Sequence, residues 1–128
     1  FVLGRPTKKQ QRIYETVLAA HDRAIKAVKP GASLASIDKR ARSHIEKQGY
    51  KKYFSHGTGH GLGLCVHEPP VVSWRSTARA LEGMVFTIEP GIYLPGWGGV
   101  RIEDTVSVTA GGAERITLSD KTLRPLPA

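Results

Sequence analysis

The chain has 128 residues, 40% of them hydrophobic, and a formal net charge of +8. This length suits one domain, and the hydrophobic content suits a globular core rather than a disordered chain. No apolar run approaches the length of a membrane span, and no secretory signal is recognisable, so we expect neither. Cys65 is the only cysteine, which excludes an internal disulfide and favours a cytoplasmic location.

The excess positive charge lies mainly on two predicted helices and is not interleaved with aromatic residues. This distribution is typical of solvated helix faces, and no nucleic-acid-binding motif accompanies it. We therefore expect no nucleic-acid partner. A further explanation is that acidic residues outside this chain balance the charge.

Two amphipathic helices are predicted in the first half of the chain. The first begins at Thr7, whose side chain caps the helix while Gln10 completes a capping box. Apolar residues then recur at spacings of three and four until Lys-Pro-Gly at residues 29–31 stops the helix. Ser33 opens the second helix, which ends at Gly49.

Strands are predicted in the second half. Residues 85–88 form a short buried strand that a Pro-Gly pair stops, and residues 96–99 form a turn. Alternation over residues 100–108 predicts a strand with one apolar face, on which Asp104 is the exception. A last strand is predicted around residues 114–117. Helices followed by strands favour an α+β fold over a doubly wound sheet.

A glycine-rich segment, residues 56–64, lies between the helices and these strands and is predicted to be irregular or a distorted strand. His60 is flanked by glycines that let other groups approach closely, and His56 and His67 are nearby. A phosphate-binding loop is not indicated, because no Gly-Lys-Ser or Gly-Lys-Thr ending is present. The remaining histidines, expected at the surface of the helices, are His21 and His44.

Two glutamates occupy positions where a carboxylate needs a partner. Glu89 ends the strand at 85–88, where burial of an unpaired carboxylate is costly. Glu103 lies mid-strand on the polar face beside Arg101. An ordinary ion pair explains either glutamate taken alone. Together with His60 they form a thiolate-free donor set suited to Mn²⁺ or Co²⁺, with Zn²⁺ also tolerated.

Three segments carry a family resemblance: residues 56–68, Glu-Pro-Gly-Ile-Tyr at 89–93 and Gly-Val-Arg-Ile-Glu-Asp-Thr at 99–105. They resemble the catalytic domain of the creatinase/aminopeptidase, or pita-bread, metallopeptidases of family M24. The Xaa-Pro branch, which contains prolidase and aminopeptidase P, is the most similar. The resemblance identifies residues 1–128 as the C-terminal portion of one such domain, with two helices followed by a curved, mostly antiparallel sheet.

The resemblance implies a site that holds two divalent metal ions. The expected metal is Mn²⁺, and Co²⁺ and Zn²⁺ are alternatives. The resemblance also implies a role for each of several residues. His60 and Glu89 would be terminal ligands of one metal, and Glu103 would bridge both. The residues that would contact the substrate or carry protons are His56 and His67. The residues that would line the substrate pocket are His67, Tyr93 and Arg101.

The family also uses two aspartate ligands, which the resemblance places upstream of this chain. Asp22 and Asp38 lie on predicted helices and do not match those positions. Glu89 and Glu103 balance the charge of one divalent cation rather than two. We therefore expect this chain alone to bind at most one metal, weakly, and to be inactive until the N-terminal part of the same protein completes it. A homodimer is expected for the complete protein.

The implied substrate is a dipeptide or longer peptide with proline in the second position, and the choice between dipeptidase and aminopeptidase stays open. Methionine aminopeptidase is an alternative, although Asp104 after Glu103 and Arg101 before it favour the Xaa-Pro branch. A non-catalytic binding module of the same fold is a second alternative. Such a module would lose the metal ligands, whereas His60, Glu89 and Glu103 are all present.

Overall fold

The computed structural model describes residues 1–127. Within them lie two helices, α1 (Lys8–Ile25) and α2 (Leu34–Lys47), and a 3-10 turn at Lys51–Tyr53. The strands are β1 (Val2–Leu3), β2 (Gly59–Gly61), β3 (Glu68–Val72), β4 (Val85–Ile88), β5 (Gly91–Leu94), β6 (Gly98–Arg101), β7 (Asp104–Thr109), β8 (Gly112–Arg115) and β9 (Pro125–Leu126). None of the helices in this part of the chain has both the length and the apolar character needed to cross a bilayer.

Both helices begin where the sequence predicts. The hydroxyl of Thr7 accepts the N–H of Gln10, and the side-chain oxygen of Gln10 accepts the N–H of Thr7, so the capping box is confirmed. Helix α1 ends earlier than predicted, because the chain tightens after Ile25 into short turns, one of which closes from Val28 N–H to the Ile25 carbonyl. Helix α2 starts at Leu34 without a side-chain cap from the preceding residue.

The main sheet has five strands in the order β3-β2-β4-β7-β8, and every neighbouring pair is antiparallel. One apolar cluster joins the helices to this sheet. Its fully buried members include Val17 and Ile37 from the helices and Phe86 and Val106 from the strands. Helices before antiparallel strands confirm the α+β prediction.

The strand predicted over residues 100–108 is wrong as one continuous element. It divides into β6 and β7, with Ile102 and Glu103 between them, so Glu103 is not mid-strand. Strand β6 pairs with β5 in a separate two-stranded sheet, whereas β7 pairs with β4 in the main sheet. The predicted alternation survives the division, because Ile102, Asp104, Val106 and Val108 are all buried.

The division has a physical cause on the opposite strand. Strand β4 pairs with β7 as far as Ile88 opposite Asp104, and the next two residues, Glu89 and Pro90, face the gap. Because Pro90 has no N–H, it cannot donate to the ladder at this point. Glu89 and Glu103 therefore both lie at one interruption in the sheet.

The prediction that His21 lies at the surface is wrong. Its side chain is fully buried, with Nε2 3.2 Å from Oδ2 of the buried Asp104. Asp104, the exception in the apolar alternation, also accepts hydrogen bonds from Lys121 Nζ at 2.6 Å and Thr117 Oγ1 at 2.7 Å. These two hydrogen bonds at Oδ1 and the nearby charge of Arg115 offset the cost of burying the carboxylate, whereas Oδ2 and both ring nitrogens of His21 make no hydrogen bond. His44 is half-buried rather than exposed.

Four strands, β1, β3, β5 and β9, have no counterpart among the predictions. Strand β3 contains Pro69 and Pro70, which disfavour a strand on sequence grounds, and it pairs with β2 at the edge of the sheet, where missing N–H groups are tolerated. Strand β5 resumes directly after Pro90. The last strand of the main sheet lies at Gly112–Arg115 rather than at 114–117.

Candidate metal centre

The side chains of His60 and Glu89 are in contact. His60 is the central residue of β2, and Glu89 directly follows the neighbouring strand β4. Nε2 of His60 lies 3.0 Å from Oε1 of Glu89, and the two side chains are only 14% and 11% exposed. The structure therefore brings together two of the three residues predicted as metal ligands.

The hydrogen bond at the other ring nitrogen fixes what this pair can bind. Nδ1 of His60 lies 2.9 Å from the carbonyl oxygen of Gly61, which only accepts, so the neutral ring carries its proton on Nδ1. The lone pair on Nε2 then points at a carboxylate oxygen of Glu89, which also only accepts. The two groups are compatible when a cation lies between them, either a second ring proton or a metal ion.

Thr87 holds this pair from within the core. Its hydroxyl oxygen accepts the N–H of His60 at 3.0 Å and donates to Oε1 of Glu89 at 3.0 Å. Hydrogen bonds of this kind orient metal ligands in proteins. Thr87 is absent from the predicted site residues, yet a signal was available, because Thr87 and Glu89 are two residues apart and so share one face of an extended chain.

A second polar array runs beside the first. Nδ1 of His56 lies 2.7 Å from the Gly57 carbonyl and so carries the ring proton, which leaves Nε2 to accept the hydroxyl proton of Tyr93 at 2.9 Å. Nε of Arg101 donates to the same hydroxyl oxygen at 2.7 Å and lies 3.7 Å from Oε2 of Glu89. The hydrogen bond to Tyr93 is the main cause that raises the pKa of Arg101.

His67 stands at the edge of the pair. Its ring lies against that of His60, with centroids 4.3 Å apart and planes inclined by 61°. His67 is exposed, as expected of a residue at the mouth of a site. A cleft of about 320 Å³ joins this edge to the second array. The predicted residues that line the cleft are His56, His60, His67, Glu89 and Arg101.

Glu103 does not join this group. It is exposed in the interruption opposite Glu89, and its charge contributes to raising the pKa of Arg101. Asp22 pairs with Arg115 and Asp38 with Arg42, and neither aspartate lines the cleft. Among residues 1–127, no three His, Cys, Asp or Glu side chains converge as a metal-binding group.

The donors that do converge fit one edge of a metal site. The distance of 3.0 Å between Nε2 of His60 and Oε1 of Glu89 matches two adjacent ligands at about 2.1 Å from one ion. Imidazole and carboxylate without thiolate suit Mn²⁺, Co²⁺ and Zn²⁺. A complete two-metal site needs more carboxylates than these residues bring together.

Residues 1–110 match metallopeptidase family M24, and the chain belongs to this family. Its fold is that of the C-terminal part of the pita-bread domain, as the resemblance predicts.

Particular members of the family are closely similar. The chain is 51% identical over 122 residues to the Xaa-Pro dipeptidase of Pyrococcus furiosus, a match that covers 95% of this chain and 35% of that protein. The crystal structure of X-Pro aminopeptidase from Thermotoga maritima gives a TM-score of 0.93 at 39% identity, over 97% of this chain and 35% of that one. The chain thus spans about a third of the length of the curated relatives it matches.

Methionine aminopeptidase is less similar. The crystal structure of that enzyme from Rickettsia prowazekii gives a TM-score of 0.75 at 31% identity, over 90% of this chain and 55% of that chain. The TM-score and the sequence identity are both lower than for the X-Pro aminopeptidase. This difference agrees with the residues around Glu103, which favour the Xaa-Pro branch.

Proposed function

We propose that the protein containing this chain is a metal-dependent Xaa-Pro peptidase that hydrolyses the peptide bond before proline. The observation that carries the proposal is the contact between Nε2 of His60 and Oε1 of Glu89, in which two electron-pair donors face the same point. The substrate class is supported by the 51% identity to an Xaa-Pro dipeptidase. The bond before proline is a distinct substrate because proline has no N–H and a fixed φ.

His60 and Glu89 would hold one divalent ion, in the first instance Mn²⁺, which oxygen-rich shells suit, with Co²⁺ and Zn²⁺ as substitutes. Glu103 lies at the same interruption of the sheet and would bridge to a second ion once the rest of the domain supplies further carboxylates. When bound, such a pair of ions supplies hydroxide at neutral pH and polarises the scissile carbonyl.

The residues of the second array would handle substrate and protons. Arg101 donates to Tyr93 and Tyr93 donates to His56, so the hydroxyl of Tyr93 is held in one orientation between two residues that line the cleft. His67 is exposed beside His60 and is free to contact substrate or carry a proton. Together these side chains would place a peptide against the metal ligands.

Three further parts of the proposal concern the whole protein. The remaining ligands come from the part of the relatives' length that this chain does not span, so this chain alone would bind at most one metal and would not hydrolyse peptides. The complete protein would be a homodimer, which its mass in solution tests. It would work in the cytoplasm, where an exposed single cysteine such as Cys65 stays reduced.

The test is hydrolysis by the whole protein with added Mn²⁺. An Xaa-Pro dipeptide, an Xaa-Pro-Xaa tripeptide and a Met-Ala peptide are compared, with Glu89→Gln as the disabled variant. Glu82→Gln is the matched control, because Glu82 is exposed and outside the cleft. We expect cleavage before proline that Glu89→Gln abolishes and Glu82→Gln leaves intact.

The comparison also decides between the alternatives. Preference for the dipeptide indicates a dipeptidase and preference for the tripeptide an aminopeptidase. Cleavage of Met-Ala alone would replace the proposal with methionine aminopeptidase. Failure to bind Mn²⁺ or to cleave any of the three would favour a non-catalytic module.

A further inference from the structure

Outside the candidate metal centre, helix α2 carries an ion pair between a buried aspartate and a half-buried arginine. Asp38 is fully buried, and Arg42, one turn later, donates to both of its oxygens, from Nε to Oδ2 at 2.8 Å and from Nη2 to Oδ1 at 2.9 Å. Such two-bond pairing fixes the orientation of both groups. The pair does not line the cleft. The other hydrogen bonds of the pair go to the segment that precedes β2.

Arg42 reaches from the helix to the segment that leads into β2. Nη1 donates to the carbonyl of Phe54 at 2.9 Å, and Nη2 donates to the carbonyl of His56 at 2.7 Å. The guanidinium also lies against two aromatic rings, 4.2 Å from the centroid of Phe54 and 4.3 Å from that of Trp74. The guanidinium is thus fixed by its carboxylate, by two carbonyls and by the two rings.

Asp38 holds the next part of the same segment. Its Oδ1 accepts the hydroxyl of the fully buried Thr58 at 2.8 Å. The carbonyl of Thr58 in turn accepts the N–H of Glu89 at 2.7 Å. A continuous path of hydrogen bonds therefore leads from helix α2 through Thr58 to the main chain of Glu89.

Stability alone does not account for this arrangement. A buried ion pair stabilises a fold no better than well-packed apolar side chains of the same size. Apolar side chains, however, provide no donors for the carbonyls of Phe54 and His56, and these belong to a segment with no regular strand partner before β2. The charged pair supplies those donors, and so it specifies the path of this segment.

We infer that Asp38 and Arg42 are positioning residues for the candidate metal centre. They fix the main chain of residues 54–58, and through it the ring of His56 and the main chain of Glu89. The positioning role of Asp38 and Arg42 is inferred from the hydrogen bonds described above. The expected effect on catalysis also rests on the proposed function.

The test uses the whole protein and two conservative variants. Arg42→Lys keeps the charge but loses the fork of donors, and Thr58→Val keeps the shape but loses the hydroxyl that Asp38 accepts. Arg124→Lys is the matched control, because Arg124 pairs with Asp120 at the same spacing on the exposed surface. Three measurements need no substrate: the ¹⁵N signals of the His56 ring, the hydrogen exchange of the Glu89 amide, and the affinity for Co²⁺ followed by its visible spectrum.

In Arg42→Lys we expect the ¹⁵N signals of the two ring nitrogens of His56 to move towards a common average. We also expect hydrogen exchange at the Glu89 amide to become at least ten times faster. Co²⁺ affinity should fall about 10- to 100-fold, as for other residues that orient metal ligands. Thr58→Val should affect Glu89 and leave His56 nearly unchanged. In hydrolysis, kcat should fall while KM changes little, and Arg124→Lys should change none of these quantities.

Each outcome decides one question. If both variants lower only the melting temperature, with unchanged histidine signals, Glu89 exchange and Co²⁺ affinity, the pair is structural and the inference is wrong. If Arg42→Lys does not fold, Thr58→Val decides by the Glu89 amide alone. If the unaltered protein cleaves no Xaa-Pro peptide while the spectroscopic changes occur, the proposed function fails and the positioning role stands. Restored Co²⁺ affinity of Arg42→Ala on adding guanidinium, and not ammonium, would further support the role of the fork.

Discussion

Gly59 lies directly against the main chain of Thr87. A Cβ atom on Gly59 would lie 1.7 Å from the carbonyl oxygen of Thr87, a distance that atoms in contact do not reach. The missing side chain lets β2 approach β4 closely enough for the N–H of His60 to reach the Thr87 hydroxyl. At this position the glycine serves close packing next to the candidate metal ligand His60 rather than flexibility.

Gly59→Ala should therefore destabilise the protein. The new methyl group must displace the main chain of Thr87, and overpacking of this kind costs about 1–3 kcal/mol or more. Gly111→Ala is the control, because a Cβ there would find its nearest neighbour at 3.9 Å. Denaturant unfolding measures both, and equal free energies of unfolding for the two variants would contradict the prediction.

Thr87→Val should weaken metal binding. The substitution keeps the buried shape but removes the group that accepts from His60 and donates to Glu89. Loss of an orienting hydrogen bond lowers metal affinity about 10- to 100-fold, and calorimetric titration with Mn²⁺ measures it. Thr77→Val, at an exposed position, serves as the control. Unchanged affinity in Thr87→Val would mean that the hydroxyl does not orient the ligands.

The sequence predicts the helices and the identity of the site better than it predicts the geometry of the sheet. Helix starts depend on a few neighbouring residues, so Thr7 and Gln10 suffice to place the capping box. The interruption between β6 and β7 depends on Pro90, which lies between the partner strands β4 and β5. Alternation within residues 100–108 carries no information about that partner, and Glu103 is therefore misplaced in mid-strand.

Buried polar partners are the second limit of the sequence. His21 is predicted at the surface and Asp104 is the exception on an apolar face, yet both side chains are fully buried, and so is that of Asp38 on α2. Their burial is made possible by partners that the fold brings from elsewhere, such as Lys121 for Asp104. Such long-range pairs follow from the packing of α1 and α2 on the sheet, which no local pattern encodes.

Tyr93→Phe should slow catalysis without unfolding the protein. The ring remains, while the hydroxyl that connects Arg101 to His56 is lost. If the array carries or orients a proton in the reaction, kcat with an Xaa-Pro substrate should fall about 100-fold. Tyr53→Phe, on a half-buried tyrosine outside the cleft, is the matched control. An unchanged kcat for Tyr93→Phe would remove the second array from the mechanism.

His21 provides a prediction about pH, because it is a buried histidine with charged neighbours on several sides. Burial is the main cause that lowers the pKa of His21 from its ordinary value of 6.5. The charges of Asp104 and Asp22 oppose this effect, and that of Arg115 adds to it. The neutral ring is therefore favoured in the folded state.

A lowered pKa fixes the sign of the pH dependence. Below about pH 6.5 the unfolded chain binds a proton at His21 that the folded chain does not, so the free energy of unfolding falls as the pH decreases, by at most about 1.4 kcal/mol per pH unit. The pKa of His44 is also lowered, so the His44→Gln variant isolates the part due to His21. Denaturant unfolding between pH 5 and 8, with an NMR titration of the His21 ring, measures the effect. A His21 ring that stays protonated above pH 7 would reverse the sign and show that Asp104 and Asp22 outweigh burial.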